Sequence, residues 1–381
     1  MEKIRLGDLV EFQRGYDLPK NEFKNGNIPV ISSNGILGYH NEVKVKEIGI
    51  TIGRSGTVGF PYLIKQDFFP HNTTLFIKNF NGNNVIYIYY LLKSLNLNEY
   101  KSGSGVPTIN RNHLHPLKVT ATKNKETQQK IAKILSDIDD KIEVLHQIND
   151  NLAELAKTIY DYWFVQFDFP DENGKPYKSS GGKMVYNNVL KREIPEGWEV
   201  DNIFNVASIQ YGFPFSTEFF NENKIGVPVI RIRDIKDNQI SNFSTEEKID
   251  SKYIIKKGEI LIGMDGNFHI NYWANDNCYL NQRVVKIQGI ELSNIYLKEQ
   301  IEPYIKTREK SISRTTVGHL SDKDLRSINI IIPNNLIMIK INSFYNNTLN
   351  KFIENLQQIQ HLQSLRDWLL PMLMNGQVSV E

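Results

Sequence analysis

A single cysteine, Cys278, stands among 381 residues, which excludes a disulfide framework and a zinc ribbon. No apolar run approaches the ~18 residues that a membrane span needs. The chain opens Met-Glu-Lys rather than with a signal peptide, so the cytoplasm is the expected compartment and no membrane partner is expected. Charge of one sign is also missing. With 45 Lys and Arg against 43 Asp and Glu, the formal net charge is +2. Nucleic-acid binding therefore cannot be argued from global charge, and any basic footprint must be local. An apolar share of 40% and a charged share of 23% are ordinary for a globular protein. The length allows two or more domains with real cores.

Catalytic motifs are missing too. An adenine amino-methyltransferase would show an Asn- or Asp-Pro-Pro-aromatic motif, and none exists. No Gly-rich loop follows an N-terminal strand as a cofactor site would require. Gly181-Gly182-Lys183-Met184 is a poor P-loop, because Tyr177 stands where the first Gly belongs and Met184 replaces Ser or Thr. Pro170-Asp171-Glu172 with Lys175 has the wrong spacing for a nuclease's acidic cluster. His113 and His115 have no Cys or acidic partner at metal-ligand spacing, so a structural role is the simpler reading and no metal is expected. Cys278 reads as a small buried apolar residue.

What is present is periodicity. Over Glu126–Phe164, apolar residues recur at alternating steps of four and three: Ile131, Leu135, Ile138, Ile142, Leu145, Leu152, Ala156, Ile159 and Trp163. Only Asn149 interrupts this 3.5-residue seam, the pattern of a coiled coil, and a polar Asn at one seam position fixes register and partner. A second such helix is predicted from about Ile341 to Met374, with Tyr345, Leu349, Phe352, Leu356, Ile359, Leu362, Leu365 and Leu369. Pro371 is expected to kink or end it. Trp163-Phe164 and Trp368-Leu369-Leu370 read as helix-end core contacts or docking surface for a partner.

The remainder is short apolar runs broken by Gly, Asn and Pro, which argues for strands and loops. These runs are Ile28–Ile31, Ile48–Ile52, Leu75–Ile77 and Leu117–Val119, with one helix at Val85–Lys93. The plan then repeats. Ile28-Pro29-Val30-Ile31 is echoed by Val227-Pro228-Val229-Ile230, and Ile50-Thr51-Ile52-Gly53 with Gly56 by Ile260-Leu261-Ile262-Gly263 with Gly266. Val106–Leu114 and Val317–Leu325 match at an offset of 211 residues, and the helices match at 210. Concordant offsets indicate a tandem duplication with a domain-sized period. Gly174–Met184 has the composition of an exposed linker.

Three stretches carry a resemblance that covers essentially the whole chain. Phe167–Met184 followed by Leu190–Val200 is similar to the inter-repeat junction of the specificity subunits of type I restriction–modification enzymes. Arg366–Val378 resembles the close of that family's second helix, and Thr315–Leu320 resembles the segment before the last strand of its recognition domains; Ser102–Asn110 fits more loosely. The resemblance implies an α/β (α+β) fold with two tandem target-recognition domains, 1–123 and 196–333. Two long helices, 124–166 and 334–381, would pack antiparallel as a coiled-coil spacer, with 167–195 as linker. It further implies a non-catalytic chain in which each domain reads half of a split double-stranded DNA site. Two modification subunits carrying S-adenosylmethionine would dock on the helices. Restriction (motor-nuclease) subunits using ATP and Mg would join for cleavage, and this chain would hold no cofactor. The alternatives are a coiled-coil adaptor without DNA specificity, or a specificity subunit of a related methylating nuclease outside type I. A helix of about 38 residues spans roughly 57 Å, enough to hold two modules about one duplex turn, ~34 Å, apart.

Base readout calls for Arg, Lys, Asn, Gln, Ser and Thr on loops. In the first domain the candidates are Arg14, Tyr16, Ser32, Ser33, Asn34, Arg54, Ser55, Lys101, Ser102 and Ser104. In the second they are Tyr211, Arg231, Arg233, Asp265, Asn267, Gln282, Arg283, Lys306, Arg308, Lys310, Arg314, Thr315 and Thr316. Lys306–Thr316 has the largest local excess of positive charge. The expected helix seam comprises Leu135, Ile138, Ile142, Leu145, Asn149, Leu152, Leu349, Phe352, Leu356 and Ile359.

Overall fold

The structure, a computed structural model, describes residues 1–101, 108–311 and 318–380. Contacts divide the chain into two compact units, residues 1–143 with 361–381, and residues 144–360. Each unit holds a β-rich region and a segment of both long helices.

In unit 1 a four-stranded antiparallel sheet runs in the order Glu11–Arg14, Thr74–Asn79, Gly49–Gly53, Pro61–Ile64. Beside it, Ile28–Ser32 pairs antiparallel with Gly35–His40 and parallel with Phe69–Pro70. Glu2–Arg5 and Lys118–Ala121 close the region as an antiparallel pair. The inner strand Gly49–Gly53 is buried throughout, as its unbroken run of β-branched residues requires. Ile50, Ile52, Phe12 and Leu75 pack against the helix Val85–Ser94 and then against Ile131, Leu135, Leu370 and Leu373 of the long helices.

Unit 2 repeats the plan. Its four-stranded sheet is ordered Ala207–Tyr211, Val284–Gly289, Ile260–Gly263, Ile270–Tyr272, and Val227–Ile230 again pairs parallel with a later strand, Cys278–Leu280. The closing pair is Glu199–Asn202 with Asn329–Ile332. The core joins Ile260, Ile262, Val285 and Ile287 to Ala156, Phe164, Ile341 and Tyr345. Cys278 is buried, and burial pushes its thiol up to about 11, in keeping with an inert core residue.

The first long helix, Lys125–Tyr160, is capped by Asn124, whose side chain accepts from Thr127 N at 3.0 Å. Ile131, Leu135, Ile142, Leu145, Asn149 and Ala156 are buried and Ile138 and Leu152 half-buried, while the residues between them lie mostly at the surface, so the packed face follows the 3.5-residue seam. Asn149 is buried against the second helix. It accepts from Asn355 Nδ2 at 2.8 Å and donates to the Phe352 carbonyl at 3.2 Å. Tyr345 donates to the Ala156 carbonyl at 3.1 Å. In unit 1, Arg366 meets Asp139 at 2.8 Å. In unit 2 the helices therefore run antiparallel. Asn149→Ala should cost about 1–3 kcal/mol, because it strands the buried Asn355 amide. Asn149→Leu with Asn355→Leu should recover most of that loss. Urea melts of the single and double variants check this, and additive losses would contradict it.

The second helix departs from its periodicity in two respects. The second helix begins at Asn335, ahead of the Ile341 that its periodicity gives and within the 334–381 that the resemblance implies, because the Asn334 side chain accepts from Ile337 N at 3.0 Å and starts it early. Its buried face is also wider than a seam. Thr348, Ile353 and Asn355 are buried as well, and Gln357 and Gln360 donate to the carbonyls of Ala274 and Asn238. Pro371, expected to kink or end the helix near there, lies inside its last turns, and the helix runs four residues further, to Asn375. It ends at Gly376 (φ +79), where Gln377 N reaches back to the Met372 carbonyl at 2.9 Å, a Schellman closure.

The stretch expected as an exposed linker is folded. After the turn Asp161–Val165, Phe167 and Phe169 are buried against Trp198, and Tyr177 stacks on Phe169 at 4.7 Å. Asp168 accepts from Ser179 Oγ and N, and these bonds hold its carboxyl below the usual range. Met184–Asn187 then pairs with Arg192–Pro195 as a hairpin.

Candidate nucleic-acid interface

One turn defines each unit. In unit 1 the buried strand ending at Gly53 feeds Arg54-Ser55-Gly56. A Cβ on Gly53 would fall 1.7 Å from the Thr57 carbonyl oxygen, and Gly56 sits at φ +83, so only glycine fits either place. The turn is held open by backbone bonds: Arg54 N donates to the Thr73 carbonyl, Ile109 N donates to the Arg54 carbonyl, and Ser55 bridges Thr108. Unit 2 builds the same frame. Met264 N donates to the Arg283 carbonyl, Leu320 N to the Met264 carbonyl, and Asp265 bridges His319, with Gly266 at φ +69. The structural equivalents are thus Arg54 with Met264 and Ser55 with Asp265. At the strand before, Gly15 N and Gly212 N make corresponding bonds to Thr74 and Val284, which pairs Arg14 with Tyr211.

Around the first turn, Arg14, Tyr16 and Arg54 converge on an open cleft of about 560 Å³ that is also lined by Gln13, Asp17, Asn110, Arg111 and Asn112. Arg14 Nη2 donates to Asp17 at 3.0 Å, and Arg54 Nη1 reaches the Asn72 carbonyl at 3.4 Å. Tyr16 accepts from Gln13 Nε2 at 3.3 Å, and its ring lies under the Lys44 ammonium at 4.9 Å. Sequence reasoning missed Asn110, Arg111 and Asn112. The signal was there in the run Ile-Asn-Arg-Asn-His-Leu, where Asn110 caps a short helical turn by accepting from Asn112 N.

Ser32 and Ser33 do not belong to a readable surface. They are 8% and 4% exposed, Ser32 Oγ donates to the Gly35 carbonyl, and Ser33 N donates to Thr73 Oγ1. They shape the loop instead. Asn34 is exposed and accepts from Thr57 Oγ1 at 2.6 Å, which ties its loop to the glycine turn. Lys101 is exposed at the end of the described stretch, and Ser102 and Ser104 lie outside the described residues. His115 is structural: its Nε2 accepts from Phe12 N at 3.0 Å, its ring stacks on Phe12, and burial holds its pKa down.

In unit 2 the turn carries a different set. Asp265 Oδ1 contacts His319 Nδ1 at 2.7 Å and Oδ2 contacts Arg283 Nε at 3.1 Å. Tyr211 donates to Asp322 at 2.6 Å, and this bond with Arg326 holds the Asp322 carboxyl below its usual range. His319 and Asp322 were not singled out as contacts from sequence. Asn267 and Gln282 are exposed beside the turn. Arg231 and Arg233 meet at Ser241, with Nη2 and Nε at 3.3 and 3.1 Å, and Arg231 lies over the Phe220 ring. The basic stretch from Lys306 is weaker than its sequence suggests. Lys306 pairs with Glu302 at 2.6 Å and Arg308 with Asp324 at 3.0 Å, while Lys310 is exposed. Arg314, Thr315 and Thr316 lie outside the described residues. Among the described residues no group of three or more His, Cys, Asp or Glu could hold a metal ion, and no helix is long and apolar enough to cross a membrane.

Comparison with known proteins agrees with this duplicated frame. The family described as the type I restriction modification DNA specificity domain matches residues 1–154 and again 195–361. The MjaIX specificity subunit of Methanocaldococcus jannaschii is 28% identical over 408 aligned positions, covering 94% of this chain and 89% of that protein. The HindI specificity subunit of Haemophilus influenzae is 25% identical, covering 78% of this chain and 79% of its own. The crystal structure of the S subunit from M. genitalium shares the fold, with a TM-score of 0.63 over 98% of this chain and 95% of that one at 18% identity. The chain belongs to the family of type I restriction–modification DNA specificity subunits.

Proposed function

We propose that this chain reads a split double-stranded DNA site, unit 1 taking one half and unit 2 the other, with the two long helices setting the gap. One observation carries this reading. The same backbone frame occurs twice, and at its equivalent positions the side chains differ: Arg14 against Tyr211, Arg54 against Met264, Ser55 against Asp265, Thr108 against His319. Base identity is read by side chains reaching base edges, so one frame with two side-chain sets serves two sequences. In this reading the chain performs no chemistry. Methyl transfer requires the adenine to leave the duplex for a pocket, which two modification subunits with S-adenosylmethionine would supply. Restriction subunits with ATP and Mg would add cleavage. The exposed apolar residues Val144, Ile148 and Leu155 on the first long helix are candidates for the modification subunits' contact. The cytoplasm, where host DNA is reached, is the location this role requires.

The test is selection of the full chain against a pool of random duplexes, at several salt concentrations. A two-part motif with a constant gap should be enriched, with affinity falling as salt rises. No enrichment and no DNA binding would favour a protein–protein adaptor instead.

A further inference from the structure

The shared frame allows the two units' recognition chemistry to be compared position by position, and at three matched positions unit 1 carries arginine where unit 2 does not, although Arg283 also reaches the unit 2 turn. Unit 1 gathers Arg14, Arg54 and Arg111 around its cleft. The corresponding places in unit 2 hold Tyr211, the buried Met264 and Asp322, and the first and last of these are bonded to each other at 2.6 Å.

Two of the unit 1 arginines are held by one small network at the edge of the cleft. Asp17 accepts from Arg14 Nη2 and also from Asn72 Nδ2, while the Asn72 carbonyl accepts from Arg54 Nη1. Each brace uses one of the five N–H donors of its guanidinium, so most of the planar fork remains available to the cleft. A side chain meant only to neutralise phosphate needs charge and reach, which a mobile lysine supplies. A guanidinium fixed in a polar cleft beside Gln13, Asn110 and Asn112 suits bidentate recognition. In the major groove the base edge that presents two acceptors to such a fork is guanine, through N7 and O6.

We propose that unit 1 reads its half-site through guanine, with Arg14 and Arg54 as specificity-determining residues and Asp17 and Asn72 as the residues that position them. This inference rests on the DNA-reading function proposed above.

The experiment repeats the random-duplex selection with the full chain and its Arg54→Gln, Arg54→Lys and Asp17→Asn variants. Arg54→Gln should lose discrimination at one G·C pair in one half of the motif by about 5- to 150-fold, the range for one bidentate contact. Arg54→Lys keeps the charge but not the fork, and should relax the same pair while retaining non-specific affinity. Asp17→Asn should relax the same half to a smaller degree, and in all three the other half should be unchanged, which also reports that unit 2 remains folded. Uniform weakening across all sequences, with the salt slope reduced by about 1, would assign Arg54 to phosphate and overturn the proposal. Relaxation at an A·T pair would also overturn it, with the DNA-reading function left standing. Failure of the unsubstituted chain to enrich any motif would overturn both.

Discussion

Seven residues inserted after Glu143 together with seven after Gln360 should move the gap between the two half-sites by about three base pairs, leaving both half-site sequences as they were. These points are where the division into compact units falls within each long helix. Seven residues are two turns of a 3.5-residue seam, so Leu145, Asn149 and Leu152 keep their seam positions. They add about 10.5 Å of helix at 1.5 Å per residue, close to three steps of ~3.4 Å along the duplex. The original site should then bind as poorly as non-specific DNA, a loss of about 10³-fold or more. Selection from random duplexes reads both numbers at once. A gap that stays put would mean that the helices do not set the spacing. A change in either half-site would mean that the units are not independent readers.

Phe164→Ala should lower the thermal midpoint of unit 2 by about 6–20 °C. The side chain is 1% exposed at the end of the first long helix. Its ring meets Tyr296 edge-on at 4.6 Å and Trp198 at 5.7 Å, and Phe167 and Phe169 extend the cluster onto Trp198. Removing a buried phenyl typically costs about 3–5 kcal/mol, and each kcal/mol moves the midpoint by about 2–4 °C in a unit of this size. Calorimetry of the full chain checks the prediction. Because the cluster ties the helix end to Trp198 and so to the start of the second recognition region, the loss should fall on unit 2 while the Leu75–Tyr87 core of unit 1 melts as before. A uniform shift of both transitions, or none, would contradict this account.

Much of this architecture follows from local patterns that sequence displays directly. The seam from Ile131 to Ala156 is legible because a packed helix face has one period, and the buried strands at Ile50 and Ile260 because they are short isoleucine-rich runs bounded by glycine. What escapes local pattern is anything that depends on a partner far along the chain. Ser32 and Ser33 look like loop hydroxyls in sequence, yet Gly35 and Thr73 enclose them. The Lys306–Arg314 stretch looks basic, but Arg308 answers to Asp324, sixteen residues on. The polar run Gly174–Met184 reads as linker because its apolar anchors, Phe167, Phe169 and Trp198, flank it rather than lie within it. At the recognition turn, the match of Arg54 with Met264 follows from aligning Gly53 with Gly263, and the backbone bonds of Ile109 and Leu320 repeat it in the fold. The cleft's Asn110, Arg111 and Asn112 were visible as an echo of the repeat, but proximity to Arg14 and Arg54 is a property of the fold.

The most direct test of the central claim is to co-express the chain with a candidate modification subunit and map N6-methyladenine across the host genome by long-read sequencing. A single split motif, two short defined halves around a fixed gap, is the predicted result. No split motif from a stable complex that binds DNA would contradict it.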